Sequence, residues 1–339
     1  MKFALVDGIK QEPAPKLKGI CCNCGSITQA KCGTRKVWHW SHVTLQKCDP
    51  WWESETEWHR LWKGYFPCQN QEVIHFDDKT GEKHIADIKT NNGMIMEIQN
   101  SPIDELEMLS REHFYGKMMW IVNGEKFKNN FTVLGKLPDP KSKIAQEVFF
   151  MQPTSRYVED RRRKAELSNE RDKLIADFGS SYLRSEDQQY TECLKAVDWG
   201  IFYLRSKDRQ YTEFLKSGDS YEEWFKSRDT SDISSMELIE FPSMEEKIRV
   251  SKEVQSHYVG HHLFIWKNHR NVWFQSAKPV FVDFGGSDLW RLMDYDLRGL
   301  KCVRKISKTA LIEKNGGCYF SSTDDVIALA PANHSVAAD

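Results

Sequence analysis

The stretch that most constrains the fold lies between residues 50 and 123, where helical and strand patterns alternate along the chain. It begins at Asp49-Pro50, a pair typical of a helix start because Asp caps a helix and Pro is tolerated at its first position. Aromatic residues then follow at spacings that place them on one helix face: Trp51, Trp58, Trp62 and Tyr65. Three strand-like segments, a second helical segment and an apolar strand come next, within residues 72–76, 84–89, 94–99, 102–115 and 118–122. The order predicts an α/β fold with an α-β-β-β-α-β core.

The loop at residues 91–93, Asn-Asn-Gly, predicts a hairpin between the second and third strands. As a three-residue loop with a left-handed Gly93, it places Asp87 directly opposite Glu97. Like charges so placed repel, and a divalent cation between them would remove the repulsion. Gln99 falls on the same face as Glu97, because strand side chains alternate. A two-residue turn would instead send Asp87 and Glu97 to opposite faces.

A third acid, Glu55, falls inside the aromatic stripe of the first predicted helix. A carboxylate on a buried face is costly to desolvate unless it meets a cation. His59 and Lys63 continue from it at i+4 and i+8 and line the same edge. Because carboxylate oxygens suit hard divalent cations, Glu55, Asp87 and Glu97 are predicted to bind Mg²⁺ or Mn²⁺.

Five of the nine cysteines lie between positions 21 and 48, and the odd total argues against a disulfide framework. A Cys-x-x-Cys pair with a distant His and Cys is how four ligands reach a tetrahedral Zn²⁺. The predicted zinc ligands are Cys21, Cys24, His42 and Cys48. Three neighbours are close enough in the sequence to replace one of them: Cys22, Cys32 and His39. With four protein ligands the site would be closed, and therefore structural.

Together, these residues resemble the PD-(D/E)xK nuclease core, and their motifs resemble those of the competence protein CoiA-like nucleases. In that family a cysteine pair and a His-aromatic-x-His…Cys segment precede a Glu-Ser/Thr-x-x-His-x-x-x-Lys helix. An Ala-Asp strand, a Glu-Ile-Gln-x-Ser strand, an Arg-x-x-x-Tyr helix and a Trp-Ile strand follow. Over about residues 1–125 this chain has the same order: Cys21, Cys24, His39, His42, Cys48, Glu55-Thr56, His59, Lys63, Ala86-Asp87, Glu97-Ile98-Gln99-Asn100-Ser101, Arg111, Tyr115 and Trp120-Ile121.

The resemblance implies a metal-dependent deoxyribonuclease, in which Asp87, Glu97 and Glu55 handle Mg²⁺ or Mn²⁺. Gln99 would position the water or the phosphate. Such hydrolysis needs a hard cation at the scissile phosphate, an activated water and a stabilised leaving oxygen. The broader superfamily usually has Lys at the position of Gln99, whereas CoiA-like proteins resemble this chain in having Gln. Three side chains could supply the missing positive charge: Lys89, Lys63 and His59.

Two alternatives stay open at this point. Arg111 and Tyr115 are interpreted as packing the second helix onto the sheet, in preference to contacting a phosphate. The rival function is a non-catalytic nucleic-acid-binding adaptor that keeps the nuclease fold as a scaffold and binds through the zinc knuckle and the predicted repeat helices.

Four consecutive modules are predicted: a zinc knuckle at 1–50, the nuclease core at 51–140, a helical region at 141–235 and a β-rich module at 236–330. Within the helical region, residues 182–195 recur at 203–216 with an offset of 21. Such repeats stack supersecondary units and offer a surface for a protein partner, or they are a duplicated spacer. The basic run at 161–164 is either a phosphate contact or a solvated helix face.

The net charge of −1 means that any nucleic-acid binding must depend on local basic surface. No window approaches the roughly 18 apolar residues of a membrane span, and Asp7 interrupts any apolar leader. These features predict a cytoplasmic protein without membrane contact. With the resemblance, they predict a DNA substrate, in uptake, processing or anti-invader defence in a bacterium or phage.

Overall fold

A computed structural model describes residues 1–44, 48–51, 53–150, 202–204, 244–268, 272–296 and 299–320. The basic run at 161–164 lies outside these residues, and so do the 21-residue repeats except for residues 203 and 204. The fold is mixed α/β, with more strand than helix. Among the described residues, no helix is long and apolar enough to cross a membrane.

The strands, in chain order, are β1 (Ala4–Val6), β2 (Ile9–Gln11), β3 (Lys18–Ile20), β4 (Ile27–Lys31), β5 (His39–His42), β6 (Gln71–Phe76), β7 (Lys83–Lys89), β8 (Ile95–Gln99), β9 (Met118–Asn123), β10 (Phe131–Pro138), β11 (Val148–Phe150), β12 (Phe202–Leu204), β13 (Tyr258–Trp266), β14 (Val280–Asp283), β15 (Asp288–Asp294) and β16 (Lys301–Ser307). The helices are α1 (Glu57–Gly64), α2 (Glu105–Tyr115), α3 (Lys143–Glu147), α4 (Met244–Ser256), α5 (Val272–Gln275) and α6 (Lys308–Lys314).

The chain divides into two compact units, each assembled from separate segments. The first contains Met1–Glu125, Asn271–Leu289 and Ile306–Asp339, and the second contains Lys126–Arg270 and Trp290–Lys305. This division into two units differs from the four consecutive modules expected from the sequence. The physical reason lies in β14, which pairs in parallel with β9 and so brings a distant segment into the sheet of the first unit.

A small antiparallel sheet in the first unit has the strand order β2-β1-β3-β4-β5. Its inner face packs around Trp40, which is 2 % exposed, together with Met1, Ala4 and Cys21. A Cβ atom on Gly19 would lie 2.9 Å from the carbonyl oxygen of Leu5, so only glycine fits there. This packing ties the N-terminal residues to the cysteine-rich turn.

The predicted α-β-β-β-α-β order is confirmed as the sequence α1, β6, β7, β8, α2 and β9. In the first unit these strands and β14 have the order β14-β9-β8-β7-β6. Strands β6, β7 and β8 are antiparallel neighbours, whereas β8, β9 and β14 run parallel. The core between sheet and helices is apolar: Trp62, Tyr65, Phe66, Ile88, Met96, Ile98, Ile121, Phe281, Leu289, Leu311 and Ile312 are all buried.

The β7–β8 hairpin has the predicted register. Ile88 pairs with Met96 and Lys89 with Ile95, which is the register of a three-residue loop. The Gly93 amide donates to the Thr90 carbonyl at 2.9 Å, and Gly93 has φ +77°. This left-handed glycine lets the loop close in three residues, so Asp87 lies opposite Glu97.

The predicted start of the first helix at Asp49-Pro50 is wrong. Helix α1 begins at Glu57, where the Thr56 hydroxyl accepts from the His59 amide and completes a capping box. The carboxylate of Asp49 instead accepts from the Ile85 amide of β7 at 2.9 Å. This contact draws the chain toward β7, so Glu55 precedes the helix and is not part of its face.

A buried ion pair links the C-terminal part of this unit to α1. The Lys308 ammonium donates to Asp283 Oδ2 at 2.9 Å, and both side chains are almost fully buried. The indole nitrogens of Trp58 and Trp62 donate to the same oxygen at 3.2 and 2.8 Å. The burial of this pair is compensated by these extra donors, as a buried charge requires.

The second unit contains strands in the order β10-β13-β16-β15 and the pair β11-β12. Helices α3 and α4 belong to the same unit, and its core includes Leu137, Ile144, Val250, Val254, Leu263 and Tyr295. Within the region predicted as helical, residues 148–150 and 202–204 form paired strands, so that prediction is wrong at these positions. Cross-strand pairing buries Val148 and Phe150, whereas the local pattern alone favoured a helix.

Candidate functional site: an acidic cavity beside a zinc-type cluster

A cleft, called here the acidic cavity, lies in the first unit, and its empty space, including the solvent at its mouth, is about 600 Å³. Its lining is rich in ionisable groups and consists of Met1, Asp49, Trp51, Glu53, Glu55, His59, Lys63, Glu72, Ile85, Asp87, Glu97, Ile98 and Arg111. Six carboxylates face two permanent cations. All three acids that the sequence predicts as metal ligands are therefore brought to one cavity.

The carboxylates of Asp87 and Glu97 each accept a hydrogen bond from a backbone amide of the opposite strand. The Asp87 amide donates to Glu97 Oε1 at 3.3 Å, and the Ile98 amide donates to Asp87 Oδ2 at 3.0 Å. Glu97 is 3 % exposed. Burial, and then the charge of Asp87, raise the pKa of Glu97 to about 7, against the lowering effect of Arg111. Arg111 and Lys63 only partly offset the repulsion between the two carboxylates, and a cation between them would reduce it further.

The Lys63 ammonium lies among the acids. Its Nζ is 3.0 Å from Glu72 Oε1, 3.0 Å from Asp87 Oδ1 and 3.4 Å from Glu55 Oε1. Burial alone would lower the pKa of Lys63, but these carboxylates raise it well above its usual value. Lys63 is thus a fixed positive charge inside the cavity, at the side of Asp87 that faces α1.

Glu55 is buried although it lies in a loop. Its Oε2 accepts from Arg60 Nη2 at 3.0 Å, and its side chain is 5 % exposed. The sequence placed it correctly in the cavity for a wrong reason, since the helix stripe does not extend to it. Its position follows from the turn between Asp49 and Thr56, together with the cations of α1.

Glu72 was missed by the sequence analysis. Burial would raise its pKa, but Lys63 and the N-terminal ammonium lower it to about 2. Its carboxylate also accepts from the Lys2 and Phe3 amides at 2.7 and 3.1 Å. Its backbone is left-handed, with φ +44°, a strained conformation for a non-glycine residue. The sequence of β6 does not indicate that Glu72 enters the cavity, because the N-terminal residues that bind its carboxylate lie about 70 positions away.

Glu53 was also missed, and it faces His59 across the cavity. Its Oε2 lies 3.7 Å from His59 Nε2, while His59 Nδ1 helps to cap α1. Burial opposes ionisation of Glu53, yet hydrogen bonds from His59 and Ser101 lower its pKa overall. The mistaken helix start hid this residue, since it would have pointed away from the predicted stripe.

Arg111 does more than pack α2 onto the sheet. Its Nη1 donates to Glu97 Oε2 at 3.0 Å, and its Nη2 donates to the Trp51 carbonyl at 2.8 Å and to Glu107. Tyr115 is buried, and its hydroxyl has no hydrogen-bond partner among the residues described. The preferred interpretation as packing groups fits Tyr115, whereas Arg111 also neutralises one of the predicted metal ligands.

Gln99 and Lys89 do not line the cavity. Gln99 is buried, and its Nε2 donates to the Ser101 carbonyl at 3.0 Å. Lys89 Nζ lies 3.5 Å from His75 Nδ1. Of the three side chains considered as replacements for a lysine at position 99, Lys63 and His59 face the cavity.

The second candidate site is the cluster of Cys21, Cys24, His42 and Cys48, whose ligand atoms all lie within 4.8 Å of one another. The sulfurs of Cys21 and Cys48 are 3.6 Å apart, and Cys24 Sγ lies 3.2 Å from His42 Nε2. Edges of a tetrahedral zinc site are about 3.8 Å between sulfurs and about 3.6 Å between sulfur and nitrogen. The donor set therefore fits a zinc-type ion.

Within the cluster the environment favours the thiolate at Cys24 but not at Cys48, where burial and the neighbouring cysteines raise the pKa to about 12. Burial raises the pKa of Cys24, but hydrogen bonds with Ser26, Cys48 and His42 outweigh it and lower that pKa to about 6. A thiolate is the form that binds a metal. Cys22, Cys32 and His39 were considered as replacements, and they are not members of the cluster.

The two sites differ in how closely their ligands approach. Among the described residues, the Cys₃His cluster is the one group of three or more His, Cys, Asp or Glu side chains close enough together to hold a metal ion. In the cavity, Lys63 lies between Glu55 and Asp87, and Arg111 pairs with Glu97.

No protein-family model matches this chain, no curated protein matches it, and no solved structure matches it.

Proposed function

We propose that the acidic cavity is the active site of a metal-dependent nuclease that hydrolyses phosphodiester bonds in DNA. The observation that carries the proposal is the β7–β8 register, which puts Asp87 beside the buried Glu97 in a cavity that also contains Glu55. Asp87 and Glu97 come from the two strands of this hairpin, whereas Glu55 comes from the loop before α1. The resemblance to CoiA-like nucleases supports the same three residues, and a role in DNA uptake, processing or defence rests on it alone.

The donor chemistry fits a hard divalent cation. Asp87 and Glu97 offer carboxylate oxygens, the Ile98 backbone is adjacent, and the cavity admits water, which together suit Mg²⁺ or Mn²⁺. Bound there, the cation would polarise the scissile phosphate and favour an ionised water. Glu55 would contact the same ion through water, because Lys63 already lies between Glu55 and Asp87.

The remaining roles fall to residues that face the cavity. Lys63 supplies a permanent positive charge beside Asp87, where it can donate to a phosphate oxygen as negative charge develops. His59 faces the cavity with its Nε2 near Glu53, an arrangement suited to orienting a water. For Gln99 to act on water or phosphate, it would have to give up its hydrogen bond to Ser101. Lys63 is therefore the better candidate for the charge that Gln99 lacks.

A second function is favoured by a different observation. Glu97 already pairs with Arg111, and Asp87 and Glu55 with Lys63, so each acid has a cation within the protein. A cavity neutralised in this way suits a non-catalytic nucleic-acid-binding adaptor that retains the nuclease fold. The zinc-type cluster would then brace the binding surface in either function.

Cleavage assays separate the two functions. Plasmid, linear and single-stranded DNA are incubated with the purified protein in Mg²⁺, in Mn²⁺ and without divalent metal. The nuclease proposal expects metal-dependent products that disappear, by about 100-fold or more, in Asp87→Asn and Glu97→Gln. Asp78→Asn is the matched control, since Asp78 is exposed on the loop before β7. DNA binding without cleavage in either metal would support the adaptor.

A further inference from the structure

The cysteine-rich segment at residues 13–48 has an unusual charge composition. Residues 13–48 contain six Lys or Arg and no Asp or Glu, in a chain whose net charge is −1. Its described cations are all exposed, namely Lys16, Lys18, Lys31, Arg35 and Lys36. None of them pairs with a carboxylate among the described residues. The positive charge of these five side chains is therefore available to a partner from outside the protein.

The charge is concentrated at one end of a hairpin. Strands β4 and β5 pair from Thr28 with His42 to Lys31 with His39, which leaves a seven-residue loop at 32–38. Residues 31–38, called here the basic tip, contain Lys31, Arg35 and Lys36 together with Trp38. The Trp38 side chain is 45 % exposed, which is high for so large an apolar group.

The hairpin that carries the basic tip is anchored at its base and at the tip. At the base of the hairpin, Cys24 precedes β4 and His42 ends β5, and both belong to the zinc-type cluster. At the tip, Arg60 of α1 donates to the Trp38 carbonyl and also to Glu55 at 3.0 Å. Two hydrogen bonds thus connect the tip to a wall of the acidic cavity. This bracing presents exposed cations and an exposed indole next to the candidate active site.

We propose that the basic tip is a DNA-docking element: Lys31, Arg35 and Lys36 contact backbone phosphates, and Trp38 stacks on a base or sugar. The inference rests on the proposed nucleic-acid substrate of the cavity. Cations without internal partners match a polyanion, and an exposed indole suits a base with a free face. Because the tip is tied to Glu55, a strand docked there is delivered to the cavity.

The test measures binding and not cleavage. Fluorescence anisotropy gives the Kd for a labelled 20-base-pair duplex and for its single strand from about 50 to 300 mM salt. The buffer has neither divalent metal nor chelator, since a chelator would also strip the cysteine cluster. The tip variant is Lys31→Gln/Arg35→Gln/Lys36→Gln. Its matched control is Lys141→Gln/Lys143→Gln/Lys252→Gln, which removes three exposed cations of the second unit. Bound zinc and far-UV circular dichroism verify the fold of every variant.

Loss of three phosphate contacts reduces the slope of log Kd against log salt by about 2.7 for duplex DNA, and weakens binding on the order of a hundredfold at 0.1 M salt. The control triple should keep the wild-type slope. Trp38→Ala should raise the Kd for the single strand by about fivefold or more without changing the slope. Its backbone carbonyl still accepts from Arg60, so the tip stays in place.

An unchanged slope and Kd in the tip variant would overturn the proposal, as would an equal loss in the control triple. The outcome is separate from that of the nuclease proposal. Metal-dependent cleavage with unaltered binding by the tip variant would refute docking at the tip and leave the nuclease standing. Binding that depends on the tip, without cleavage in either metal, would support docking at the tip and refute the nuclease proposal.

Discussion

The zinc-type cluster and the acidic cavity both gather ionisable side chains, but they relieve the resulting repulsion in different ways. In the cluster, the ligand atoms of three cysteines and one histidine lie within 4.8 Å of one another. In the cavity, Lys63 lies between Glu55 and Asp87, and Arg111 pairs with Glu97. The cluster therefore offers a donor set that fits a zinc-type ion, whereas the cavity is already partly neutralised by cations of the protein. A divalent ion bound in the cavity would have to compete with these cations.

Removal of a cluster ligand tests the first half of this comparison and should have the largest effect. Cys24→Ser is expected to lose bound zinc and to lower the free energy of unfolding by at least about 4 kcal/mol, because zinc binding contributes about 10–16 kcal/mol in small zinc-dependent domains. Metal analysis and urea denaturation measure both quantities. Cys32→Ser is the matched control, since Cys32 lies outside the cluster. Unchanged zinc content in Cys24→Ser would refute the assignment of the ligands.

Removal of the cavity's internal cation tests the second half. Lys63→Met leaves Glu55, Glu72 and Asp87 without their shared partner, and the loss of one member of a buried ion pair costs about 3–5 kcal/mol. Denaturation in urea should show this loss, and Mg²⁺ should restore more stability to the variant than to the wild type. Lys89→Met serves as the control on β7. Equal stability of Lys63→Met and the wild type would show that the acids need no cation.

A smaller effect is expected from the pH dependence of Glu97. Its pKa is about 7 in the folded protein and near 4.5 in the unfolded chain, so the folded state binds the proton more tightly. The stabilisation is fully present below about pH 4.5 and is lost as the pH rises through 7, and about 2–3 kcal/mol of it is lost between pH 5 and pH 7.5. Glu97→Gln should remove this part of the pH dependence, as measured by denaturation at pH 5 and pH 7.5.

Glu105→Gln is the control for that measurement, because Glu105 is exposed at the start of α2. If the wild type and Glu97→Gln lose the same stability between the two pH values, Glu97 is not the group that titrates.

Local chemistry was enough to predict several features. The Asn-Asn-Gly turn fixes the β7–β8 register within three residues, and the spacing of Cys21 and Cys24 fixes a tight turn. In both cases the interactions that determine the structure lie close together in the sequence. The order of helices and strands from α1 to β9 followed from periodicity for the same reason, whereas the five strands β1–β5 were not predicted.

Features that depend on distant partners were not predictable. The helix start at Asp49-Pro50 fails because Ile85 and His84 of β7 compete for the Asp49 carboxylate. Glu72 enters the cavity through contacts with the N-terminus and with α1, which its own strand does not reveal. The pairing of β14 with β9 joins residues more than 150 positions apart, so no local pattern could separate it from an independent C-terminal module.

The most direct test of the account is whether a divalent cation binds between Asp87 and Glu97. Crystals soaked in Mn²⁺ and measured at its absorption edge would locate the ion by anomalous scattering. The account predicts a peak in contact with both carboxylates, with the Lys63 ammonium moved away from Asp87, and no such peak in Glu97→Gln. Lys63 still paired with Asp87 and no manganese at the acids would contradict it.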